Sequence, residues 1–112
     1  MALANYYNGQ DIILTIDLKD RNFADQTDVI VEFYHNDTLF KTLKKTETNT
    51  AKQLVAISGQ PTKFAARVFR SETSALEDGR LRVAIAVITP DTLFPLGRAD
   101  KIFAEFGKYI KL

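Results

Sequence analysis

Apolar and polar residues alternate at every second position over much of this chain. From Asp11 to Lys19, Ile12, Leu14, Ile16 and Leu18 fall on one side while Ile13, Thr15, Asp17 and Lys19 fall on the other, which predicts a half-buried strand. Val29, Val31 and Phe33 share a face in the next run, Asn36-Asp37 forms a turn pair, and Thr38 to Leu43 returns, so residues 28–45 read as a hairpin. Lys44 to Lys52 is rich in Thr, Lys and Asn and reads as an exposed loop or edge. A short strand over residues 53–58 is closed by Gly59-Gln60-Pro61. Lys63 to Arg70 is read as a strand because Phe64, Val68 and Phe69 suit a pleated surface. Ser71 is a candidate N-cap for one helical turn ending by Gly79.

Residues 80–88 form a long strand with Leu81, Val83, Ile85 and Val87 on one face and Ala84 and Ala86 on the other, the pattern of a central strand covered on both sides. Thr89-Pro90-Asp91-Thr92 predicts a type I turn, Leu93 to Asp100 a longer connection, and residues 101–106 and 109–112 the last strands on either side of Gly107. Seven to eight short strands with one short helical turn make an all-β, immunoglobulin-like antiparallel β-sandwich. The organisation expected is an N-terminal arm over residues 1–8 and a single sandwich domain over residues 9–112.

Composition then narrows the chemistry. The chain has 112 residues, of which 46% are apolar and 26% charged, as in an ordinary globular domain. It contains no Cys and one His, His35, so thiolate chemistry and paired-histidine zinc sites are excluded. Residues 1–40 hold seven acids and two bases, residues 41–82 nine bases and four acids, and residues 83–112 three acids and four bases. The net charge is only +1, too little for general polyanion binding. Folding that interleaves these stretches would cancel the field, and folding that separates them would leave a polar molecule suited to head-to-tail association.

Individual constellations are thin. His35, Asp37 and either Ser58 or Ser71 supply the residue types of a hydrolase triad but no Gly-x-Ser-x-Gly elbow. Asp20, Asp25 and Asp28 lack calcium-loop spacing. Lys41, Lys44, Lys45 and Lys52 read as a solvated basic rim on the hairpin, and Gly9 and Gly59 stand outside any phosphate loop. No catalytic residue, cofactor or metal is therefore expected. Leu3, Tyr6 and Tyr7 in the arm, and Phe94, Pro95 and Leu96 in the connection, fall outside the regular alternation. They must bury their apolar area either on the domain itself or on a neighbour, which makes them the candidate interface residues.

The order of elements resembles a known domain. Gly9 to Ile16, Asp28 to Tyr34, the Asn36-Asp37 hairpin, and above all Arg70-Ser-Glu-Thr-Ser-Ala-Leu76 with Gly79-Arg80-Leu81 are similar to the small immunoglobulin-like domain at the N-terminus of tailed-phage upper-baseplate fibre proteins. The likeness spans roughly residues 9–88. Ser71, Glu72, Thr73, Leu76 and Gly79 match that family's turn before the central strand. The family domain usually continues into a fibre or coiled coil, whereas the sequence here ends at Leu112. The resemblance implies a non-enzymatic virion component of a phage or prophage, in tail, baseplate, neck or capsid. It would contact other virion proteins, as a homo-oligomer or ring, and bind no nucleic acid or membrane. A carbohydrate- or small-ligand-binding sandwich is the competing expectation.

Overall fold

Alternating sequence becomes two packed sheets in a computed structural model that describes residues 4–111. The strands are β1 (Ala4–Tyr7), β2 (Ile12–Asp17), β3 (Asp28–His35), β4 (Thr38–Lys44), β5 (Val55–Ile57), β6 (Gln60–Val68), β7 (Gly79–Asp91) and β8 (Phe94–Ile110), with one helical turn, α1 (Arg70–Thr73). Short 3-10 turns at Phe23–Asp25 and Thr50–Lys52 complete the chain. The larger sheet has the order β1-β8-β7-β3-β4 and the smaller β2-β6-β5. All pairs of strands are antiparallel except β1 with β8.

The core lies between the sheets. Val29, Val31 and Phe33 of β3 stand opposite Val87, Ile85 and Val83 of β7. They meet Ile12, Phe64, Ala66 and Val68 from the smaller sheet, and all of these side chains are buried. Phe23 stacks on Phe64 at 4.8 Å, and Phe106 meets Phe33 edge-on at 5.7 Å. Such geometry suits the ring quadrupoles and adds to the burial itself. Ala84 is buried although no third layer covers it. Its strand neighbours Glu32 and Phe103 flank it on the outer face and leave no room for solvent.

The hairpin turn is as expected. Asn36 and Asp37 both adopt positive φ, 47° and 70°, as a type I′ turn requires, and the twist of the flanking strands favours that type. Asn36 also holds the start of β7: its Oδ1 accepts from the Arg80 N–H at 2.9 Å. A Cβ on Gly79 would overlap the end of the Asn36 side chain, so a larger residue there would displace the Asn36 side chain from its hydrogen bond to Arg80.

Several expectations are corrected. Ala4–Tyr7 is no free arm but an edge strand, in register with Gly107 to Ile110. Close approach is possible because position 107 is glycine, where a Cβ would meet the Ala4 carbonyl oxygen at 2.5 Å. The turn at Thr89-Pro90-Asp91-Thr92 and the connection from Leu93 to Asp100 are absent as such. β7 runs through Pro90, the chain reverses at Thr92-Leu93, and β8 continues unbroken through Gly107. Pro90 is tolerated because it sits where the register slips, between Thr89 and Asp91, so no regular ladder hydrogen bond is lost. Nor does Ser71 cap α1. Phe69 occupies the N-cap position, Glu72 Oε1 accepts from its N–H at 2.9 Å, and Asp11 Oδ1 accepts from Arg70 N–H at 2.6 Å.

Candidate functional site

The residues that could have carried chemistry are occupied elsewhere. His35 Nε2 lies 2.6 Å from the Glu77 carbonyl oxygen, and its ring stands edge-on to Tyr109. Asp37 accepts from Arg82 at 2.6 Å, while Ser58 lies at the turn between β5 and β6 and Ser71 is exposed on α1. The triad residue types are thus not assembled. Asp28 accepts from Val29 N–H and from Thr46, and among the described residues no three His, Asp or Glu side chains are grouped to hold a metal ion.

The expected basic rim is divided. Lys41 is buried, pairs with Glu72 Oε1 at 2.5 Å and lies over the Phe69 ring at 4.6 Å. Lys45 donates to the carbonyls of Ala24 and Gln26 at 2.8 and 2.6 Å, leaving Lys44 and Lys52 exposed. Folding also interleaves part of the charge asymmetry, since Arg82 pairs with Asp37 and Lys101 with Glu32, bases of the later stretches against acids of the first.

Of the large apolar residues exposed among the described residues, Tyr7, Ile13, Leu39 and Val55 are scattered over four strands, while Leu93, Phe94, Leu96, Ile102 and Phe103 gather at the β7–β8 turn and along β8. Pairing between β3 and β7 ends at Asp28 and Ile88, so the hairpin beyond Ile88 overhangs the sheet. The protein accordingly measures 50 × 29 × 27 Å. At the overhanging tip Leu93 is 82% exposed, Phe94 48% and Leu96 91%. The tip is shaped locally: Asp91 Oδ1 accepts from Leu93 N–H at 2.8 Å, and Gly97 adopts a φ of 87°. A Cβ at Gly97 would sit 2.9 Å from Ile88 Cγ2 and 3.0 Å from the Thr89 carbonyl oxygen.

Further along β8, Ile102 is 62% exposed and Phe103 53%. Ile102 lies on the core side with Ile85, beyond the reach of the smaller sheet, and Phe103 lies on the outer side against Tyr34 at 5.5 Å. Because β1 pairs only with residues 107–110, β8 has no neighbour along its other edge from 94 to 106 among the described residues. Asp100 sits on this edge. A hydrogen bond from Arg21 at 2.8 Å, reinforced by Arg98 at 3.3 Å, holds its carboxyl below the usual carboxylate range.

Of the six candidate interface residues, Phe94, Pro95 and Leu96 share this tip and are exposed. Tyr6 is instead drawn into its own domain, edge-on to Phe106 at 5.8 Å, while Tyr7 is on the outer side of β1 and partly exposed. Leu3 lies outside the described residues. Sequence reasoning missed Leu93, Ile102 and Phe103. The signal was Lys101-Ile-Phe-Ala-Glu-Phe106, where apolar residues occupy both faces of one strand, a pattern that an edge cannot fully bury.

No helix among the described residues is long and apolar enough to cross a membrane. In comparison with known proteins, the chain matches no protein-family model, no curated protein and no solved structure.

Proposed function

We propose that this chain is a non-enzymatic structural protein of a phage or prophage particle, an adaptor of the tail, baseplate, neck or capsid that works through protein-protein contacts. The observation that carries the reading is the overhanging hairpin tip, where Leu93 and Leu96 leave most of their surface in water and Phe94 about half. Contiguous apolar surface of this kind on a small domain marks a contact site more often than a monomer's ordinary surface. The resemblance of residues 9–88 to a phage baseplate domain supplies the setting.

A ligand-binding sandwich fits less well. A sugar-binding platform needs coplanar exposed aromatics, whereas Tyr34 and Phe103 are tilted by 59° and Arg82 lies over the Phe103 ring at 5.9 Å.

Purified particles from the producing strain decide the matter by quantitative mass spectrometry and immunogold labelling. Stoichiometric presence at one location is the expected result, with Leu93→Asp lowering incorporation. Particles that lack the chain while it accumulates free in the lysate would overturn the reading.

A further inference from the structure

We infer that the open edge of β8 is a self-pairing surface, on which a second copy of this chain lays its own β8 antiparallel with Ala99 facing Ala99. The inference names a partner and a register for the proposed structural role, and it rests on that reading only in treating the exposed surface as a contact site. Among the described residues no strand pairs with this edge from 94 to 106, which offers backbone N–H and C=O groups, save the N–H that Pro95 lacks, as a template for another strand.

Twofold pairing that keeps inner face beside inner face leaves one residue opposite its own copy, and the candidates can be tried in turn. Arg98, Asp100 or Lys101 in that place sets like charges against each other, which destabilises a ladder. Ile102, Phe103 or Ala104 in that place drives the second copy's hairpin along residues 107–110, where β1 already lies. Gly97 sets Arg98 and Asp100 against Leu96 and Phe94.

Ala99 avoids all three faults. Arg98 then faces Asp100 of the second copy, twice by symmetry, and both lie on the inner face given by their partners Thr89 and Val87. Counting outward, Leu96 falls opposite Ile102 and Pro95 opposite Phe103. Leu96, the most exposed apolar residue of the tip, thereby meets Ile102 of the edge. Leu93 falls opposite Glu105, so the tip stops just short of Gly107, where β1 begins. Pro95 lacks an N–H and Gly97 turns the strand, so backbone pairing centres on Arg98–Asp100 and the flanks meet through side chains.

The chain contains no cysteine, so a single engineered thiol reports its own encounter. Sedimentation across a concentration series should carry the mass from 12.6 kDa towards twice that value. Ala99→Cys should form a covalent dimer under mild oxidation at least about tenfold faster than Ser58→Cys, since directly opposed Cβ atoms lie within disulfide reach. Leu96→Asp and Arg98→Asp should each abolish the dimer without altering circular dichroism, and Arg98→Asp with Asp100→Arg should restore it.

A single 12.6 kDa species at every concentration would overturn the inference. So would a dimer in which Ala99→Cys cross-links no faster than Ser58→Cys, or one indifferent to Leu96→Asp. A monomeric result leaves the virion role to be decided separately by particle content.

Discussion

At the scale of single residues, α1 shows how a distant side chain replaces a local cap. Ser71 lies inside the turn, whereas Asp11, from the approach to β2, accepts the N–H of Arg70. Asp11→Ala is therefore expected to cost about 0.5–2 kcal/mol, the usual worth of a cap, while Ser71→Ala stays within about 0.5 kcal/mol. Urea denaturation of both variants checks this, and the reverse order would restore Ser71 as the cap. Lys41 poses a second residue-scale question, because its side chain is 3% exposed and its partner Glu72 34%. Glu72→Ala leaves a buried ammonium unpaired, at a cost of about 3 kcal/mol, the low end for such a loss because Glu72 is partly solvated. Lys41→Met combined with Glu72→Gln is expected to recover most of that stability. A Met–Gln pair of similar volume has no charge to desolvate, and melting of the single and double variants measures the difference.

At the scale of elements, β1 is held by a close approach at one glycine. A methyl group at position 107 would meet the Ala4 carbonyl at 2.5 Å and the Tyr6 ring at 2.8 Å, and backbone cannot yield as a side-chain tip can. Gly107→Ala should therefore displace β1 while the sheets beneath remain packed. Hydrogen exchange is the measurement: amides in Ala4–Tyr7 should lose protection while those of β3 and β7 keep it. Global unfolding, or unchanged protection of β1, would contradict this account of why the N-terminal residues form a strand.

At the scale of the whole molecule, the two sheets are joined along the side where β2 and β8 both lie at or near an edge. Arg21 follows β2 and reaches Asp100 on β8 at 2.8 Å and Thr89 on β7 at 3.2 Å. Its hydrogen bond lowers the folded-state pKa of Asp100, so the contribution of this link is fully present above the unfolded carboxylate range and is lost as pH falls through the folded value. Arg21→Ala should raise the Asp100 titration towards, but not fully to, the ordinary range, since Arg98 remains beside it. Carboxyl carbon NMR reads the shift directly, and an unmoved titration would remove Arg21 as its principal cause.

The local pattern determined the strands whose one face meets the core. β2, β3 and the buried stretch of β7 follow from alternation alone, because a period of two leaves each strand a single way to hide its apolar face. The Asn36-Asp37 turn was equally legible, since few residue pairs accept positive φ twice in succession. Tertiary structure decided everything that depends on a neighbour distant in sequence. Four residues without strong alternation became β1 because β8 offered an edge and Gly107 the space. Pro90, Pro95 and Gly97 read locally as breakers, yet β7 extends over thirteen residues and β8 over seventeen, pairing on either side of them with the register slips absorbing the misfit. The candidate surface divided along the same line. Phe94, Pro95 and Leu96 stand out in the sequence as apolar residues without a pattern. Ile102 and Phe103 sit in a pattern that looks buried, yet Ile102 is exposed because the smaller sheet ends before reaching β8, and Phe103 because it faces outward, where no second layer packs.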